Sequence, residues 1–196
     1  MNRGYRVAVM LALLAGFPMA ASRAAVEQGS TERPFAAGGR VRMDLSAGDY
    51  TIRDGAGDRI RVLWETRTAQ EMASVKVDIQ PGGSEARIVT SGPHNNFKVI
   101  IELPARTDLQ LSLSAGDLRI EGITGSKDVG SWAGEIDIEV GRADDYASVH
   151  ASVTAGDLSA EPFQVSKGGL FRSFSWKGSG RYTLNVRLTA GDLTLR

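Results

Sequence analysis

One four-residue phrase recurs five times in this chain and constrains its fold more than any other feature. The copies are Ser46-Ala47-Gly48-Asp49, Ser114-Ala115-Gly116-Asp117, Trp132-Ala133-Gly134-Glu135, Thr154-Ala155-Gly156-Asp157 and Thr189-Ala190-Gly191-Asp192. Each precedes a short apolar-alternating run: Tyr50/Ile52, Leu118/Ile120, Ile136/Ile138, Leu158 and Leu193/Leu195. A small-Gly-acid turn that repeatedly feeds a strand is the signature of a repeat architecture. Glycine admits a positive φ, and the acid that follows can accept backbone N–H bonds and close the turn. Gly48, Asp49, Gly116, Asp117, Gly134, Glu135, Gly156, Asp157, Gly191 and Asp192 are therefore read as structural turns.

Between the phrases the hydrophobic period is two. Val41, Met43 and Leu45 alternate with charged residues, and the same rhythm runs through Ile60/Val62/Trp64, Val75/Val77/Ile79, Val99/Ile101/Leu103, Leu109/Leu111/Leu113 and Val149/Ala151/Val153. Such alternation places one sheet face inward and the other toward water. The one helix-like stretch, Thr68–Ala73, is short enough to read as a turn, so the expected class is all-β. After the first copy, the phrase returns after 68, 18, 22 and 35 residues, counted on its alanine. Steps of 18 and 22 suit one coil of a single-domain β-solenoid (β-helix-like), behind an N-terminal half of longer strands. A β-sandwich is the alternative.

Val99-Ile100-Ile101-Glu102-Leu103-Pro104 before Leu109-Gln110-Leu111, the recurring phrase, and Glu121-Gly122-Ile123-Thr124-Gly125 together resemble the bacterial putative-adhesin, β-strand-repeat family of unknown function. The resemblance covers residues 37–196. It implies a β-solenoid-like exported protein of the cell envelope and brings no established catalytic residues.

The N-terminus reads as a targeting segment. Arg3 and Arg6 precede the apolar run Val7–Phe17, and Ser22-x-Ala24 fits a signal-peptidase site. Residues 1–24 are expected to be a signal peptide and 25–36 a flexible lead-in. Cleavage after Ala24 removes Arg3, Arg6 and Arg23, leaving 20 basic against 23 acidic residues. That balance gives no broad positive field for nucleic acid. No later apolar run is long enough for a transmembrane anchor in the mature chain. With no cysteine, disulfides, thiol nucleophiles and cysteine-bound metals are excluded.

The repeat acids could align into a calcium ladder, but stacked carboxylates repel one another and the short calcium-roll period is absent. His94 and His150 read as surface residues. His150 with Asp144 or Asp145 and a serine could nominally form a triad, yet no nucleophile motif accompanies it. Phe163, Phe171, Phe174, Trp176 and Tyr182 crowd into twenty residues, although the whole chain has thirteen aromatic side chains. Packed inward they cap the core. Exposed, Phe171, Arg172, Phe174, Trp176 and Lys177 would form a ligand surface. The resulting expectation is a non-catalytic exported structural or binding module in the periplasm or at the cell surface. It needs no cofactor, and its partner is an envelope protein or polysaccharide. The alternatives are a carbohydrate-active β-helix enzyme and an accessory protein of an envelope-stress system.

Overall fold

The computed structural model describes residues 27–55, 57–93 and 95–196. In chain order the strands are β1 (Glu27–Pro34), β2 (Arg40–Leu45), β3 (Asp49–Asp54), β4 (Arg59–Thr66), β5 (Lys76–Gly82), β6 (Glu85–Ser91), β7 (Lys98–Leu103), β8 (Asp108–Leu113) and β9 (Leu118–Glu121). They continue with β10 (Lys127–Ala133), β11 (Ile136–Ile138), β12 (Tyr146–Ala155), β13 (Leu158–Ala160), β14 (Val165–Lys167), β15 (Leu170–Lys177), β16 (Tyr182–Ala190) and β17 (Leu193–Leu195). They build two mixed sheets. Sheet A has nine strands in the order β1-β4-β7-β3-β9-β11-β17-β13-β14, and sheet B has eight in the order β15-β12-β16-β10-β8-β2-β6-β5.

The repeated phrase is the corner between the sheets. In all five copies it carries the chain from a strand of sheet B directly into a strand of sheet A: β2 to β3, β8 to β9, β10 to β11, β12 to β13 and β16 to β17. With β6 and β7 these pairs make six rungs, and each rung is parallel to its neighbours in both sheets. Antiparallel strands β1, β4, β5, β14 and β15 close the ends.

Rung stacking follows the chain only in part. The step of 18 residues does bring β10/β11 onto β8/β9, but the step of 22 does not bring β12/β13 onto β10/β11. The last rung, β16/β17, inserts between them, so the C-terminal residues are flanked on both sides. Leu193 and Leu195 are accordingly buried in the core. The 35-residue interval between the last two phrases holds β14 and β15. The Lys177–Gly180 turn joins β15 to β16, yet β15 pairs with β12 and not with β16.

The inner faces of both sheets enclose one hydrophobic core, made of like residues stacked rung on rung. Met43, Leu111, Val129, Val186 and Ala151 form one such row in sheet B, and Ile101, Ile52, Ile120, Ile138 and Leu195 one in sheet A. Burying each large aliphatic side chain contributes about 1.5–3 kcal/mol.

Two expectations need correction. Among the described residues the fold is mostly β, with one short α-helix, α1 (Ala69–Ser74), and two 3-10 turns. A reciprocal capping box holds α1: the Thr68 side chain accepts from Glu71 N–H, and the Glu71 carboxylate accepts from Thr68 N–H. The segment assigned to a flexible lead-in contains β1, paired with β4 over eight residues. Gly29 leaves room for the Trp64 indole beneath it. The signal-peptide reading of residues 1–24 and His94 lie outside the described residues. Among the described residues, no helix is long and apolar enough to cross a membrane.

Candidate functional site

The corner glycines form a column. A Cβ on Gly116 would overlap the carbonyl oxygen of Gly48, one on Gly134 that of Gly116, one on Gly191 that of Gly134, and one on Gly156 that of Gly191. Their φ angles of 111°, 127°, 125° and 135° are also closed to side-chain-bearing residues. Two of the five acids act between rungs: Asp117 Oδ1 accepts from Glu135 N–H at 3.2 Å, and Asp192 Oδ1 from Asp157 N–H at 2.9 Å. Among the described residues, no three acidic or histidine side chains converge to hold a metal ion.

The aromatic residues divide. Phe174 enters the core, while Phe163 stacks at 5.7 Å from it and 5.2 Å from half-buried Trp176. Phe171 is 80% exposed on the edge strand, turned out by a φ of 55°, beside exposed Leu170. Arg172 is half-buried and Lys177 exposed. Phe174 and Phe171 thus face opposite ways, and the five residues do not make one surface. His150 is exposed and bonds Ser175 Oγ through Nδ1 at 3.0 Å. Among the described residues, no carboxylate is hydrogen-bonded to that imidazole.

On the outer face of sheet A, buried or half-buried carboxylates are paired with arginines. Glu102 sits between Arg53 at 2.7 Å and Arg61 at 3.5 Å, and Asp137 between Arg196 at 2.7 Å and Arg119 at 3.6 Å. A groove of about 510 Å³ beside β1 has an aliphatic floor of Leu63 and Ile100, and its lysine, Lys98, is already paired with Glu65.

The outer face of sheet B differs. A groove of about 450 Å³ crosses β6, β2, β8, β10 and β16, lined by Arg87, Arg42, Asp44, Gln110, Ser112, Asp128, Gly130 and Arg187 among others. The strand register sets these side chains in rows: Asn185, Asp128, Gln110, Arg42 and Arg87 in one, Arg187, Gly130, Ser112 and Asp44 in the next. Arg87 donates twice to Asp44, at 2.6 and 3.1 Å. Asp128 accepts from Arg187 at 2.9 Å and Asn185 at 3.0 Å. These pairs hold the walls upright.

Gly130 leaves the floor bare. It has no positive φ, and a Cβ there would meet only the Leu111 carbonyl oxygen, at 4.0 Å. Neither backbone conformation nor packing requires a glycine in this central strand, where it costs about 0.5–1 kcal/mol relative to alanine. Two residues on, Trp132 lies on the same face and is 70% exposed. Sequence reading treated Trp132 only as a variant of the repeat. A glycine inside a strand pattern, followed by a tryptophan of the same parity, was the available signal.

With this geometry in place, comparison with known proteins is informative about the fold. No protein-family model matches the chain, and no curated protein does. Among solved structures, a putative cell adhesion protein from Clostridium sporogenes superposes with a TM-score of 0.57 at 14% identity, covering 86% of this chain and 99% of that one. The two share a fold. A putative adhesin from Bacteroides fragilis is matched over 87% of this chain and 97% of its own, with 7% identity and a TM-score of 0.30. The resemblance expected from the sequence is therefore present as a shared fold with the Clostridium sporogenes putative cell adhesion protein.

Proposed function

We propose that this protein is an exported, non-catalytic binding module of the cell envelope, with a solenoid-like stack of rungs as scaffold and the outer groove of sheet B as its binding surface. The observation that carries this reading is Gly130: a central strand gives up a side chain that both its backbone and its surroundings would accept, and a walled polar groove results. A strand glycine with no structural reason marks a place where a ligand approaches the backbone closely. The fixed Arg87–Asp44 and Arg187–Asp128–Asn185 clusters give the groove preorganised polar walls, and Trp132 adds an exposed ring at one end. Export is supported by the Arg3/Arg6, apolar and Ser22-x-Ala24 succession.

The test is binding of the mature chain to polysaccharide and protein fractions of a bacterial envelope, followed by tryptophan fluorescence. Trp132→Ala should weaken binding without lowering the melting temperature, because the indole packs on little. Equal binding by wild type and Trp132→Ala would overturn this reading.

A further inference from the structure

We propose that the groove takes an acidic polysaccharide, with Arg42 holding an anionic group of the ligand; this rests on the groove being the binding surface. Arg42 lies directly opposite Arg87 on one side and Gln110 on the other. Like charges in register on adjacent strands repel. Arg87 is drawn onto Asp44 and Arg187 onto Asp128. Among the described residues, no carboxylate lies within 4.0 Å of the Arg42 guanidinium, whereas these two neighbouring arginines are paired. The groove thus holds three guanidinium groups against the carboxylates of Asp44 and Asp128, in a chain whose residues 25–196 carry more acids than bases. An incoming carboxylate or sulfate would complete the pairing, and the planar guanidinium fork suits either.

The surroundings favour a sugar polymer over an acidic peptide. The groove lies in the middle of a sheet, where the backbone is already paired on both sides, so a peptide cannot add as a strand. Its walls offer amide, guanidinium, hydroxyl and carboxylate groups, which match hydroxyls and anions. They include no deep apolar socket for peptide side chains. Trp132 stands two strands and four residues from Arg42 in register, about 16 Å away by strand spacing and rise. Its exposed face can stack on a sugar ring at that distance, so the ligand spans several units.

The probes are polygalacturonate (carboxylate), dextran sulfate (sulfate), neutral dextran and poly-glutamate. Each is titrated against the mature wild type, Arg42→Gln and Arg33→Gln, a charge control outside the groove. Polygalacturonate or dextran sulfate should bind the wild type, and whichever binds identifies the anion. Arg42→Gln should weaken that binding about tenfold or more, as expected for loss of a charged hydrogen bond, and Arg33→Gln should not. Affinity should also fall as salt is raised. Equal loss in both variants, or no binding by either acidic polysaccharide, overturns the proposal. Dextran binding that is lost in Trp132→Ala but unchanged in Arg42→Gln overturns it while leaving the groove as the binding surface. Poly-glutamate binding as tightly as the acidic polysaccharides overturns the sugar assignment.

Discussion

Lys127→Met should make the protein more stable at neutral pH and abolish a rise in its stability at alkaline pH. Lys127 lies on the inner face of β10, 2% exposed, with Nζ 3.2 Å from Tyr146 Oη and 3.3 Å from the Gly125 carbonyl. Burial lowers its pKa from 10.5 to about 8, against the opposing fields of Asp108 and Glu139. Between pH 8 and 10.5 the unfolded lysine holds a proton that the folded one has released, so stability rises with pH across that window. Below pH 8 both states are protonated and the full cost is present, about 3 kcal/mol at 1.36 kcal/mol per pKa unit. Burial raises Tyr146 from 10.0 to about 12, aided by the Asp145 charge. Between pH 10 and 12 the unfolded tyrosine ionises first and stability falls again. Urea unfolding should therefore show a maximum near pH 10. Lys127→Met leaves Tyr146 Oη within 3.5 Å of the Val140 carbonyl but strips a donor from Gly125. The net gain at pH 7 should thus be about 1–3 kcal/mol. A wild-type profile that is flat from pH 7 to 10, or an unchanged rise in Lys127→Met, would refute the reasoning.

Three further outcomes follow from the packing. Gly134→Ala places a Cβ on the Gly116 carbonyl at a φ of 127°, and should cost about 3 kcal/mol or more in chemical denaturation. Asp192→Asn keeps an oxygen for Asp157 N–H and should be nearly neutral, whereas Asp192→Ala should lose about 1 kcal/mol, and millimolar calcium should alter neither melting curve. Trp176→Ala removes a half-buried ring stacked on Phe163 and should cost about 2 kcal/mol; an unchanged melting temperature would remove Trp176 from the cap of the core.

The corners and strand faces were legible because they are local. Gly116-Asp117 and its copies announce a turn, and Val41/Met43/Leu45 announce a face, without knowledge of their neighbours. Rung order was not legible: β8/β9, β10/β11 and β16/β17 carry the same phrase, and nothing local says that the last inserts beside the second. β1 escaped because Gln28, Ser30 and Glu32 alternate with no apolar partner set, and only pairing with β4 makes them a strand. Lys127 occupies an inward position that a charged residue disguises. The groove was hidden for a related reason. Arg42, Gln110, Gly130 and Arg187 are far apart in sequence and meet only through parallel register, so no motif holds them together.

Gly130→Val puts the groove to the most direct test. A Cβ at this position meets only the Leu111 carbonyl oxygen, at 4.0 Å, and a β-branched residue suits a central β position better than glycine by about 1 kcal/mol. The melting temperature should rise by about 2–4 °C for a chain of this size, while binding of the polysaccharide recognised by the wild type is lost as the floor fills. Affinity at the wild-type level in Gly130→Val would contradict the account. A fall in melting temperature would contradict it too, since the glycine would then serve the fold and not a ligand.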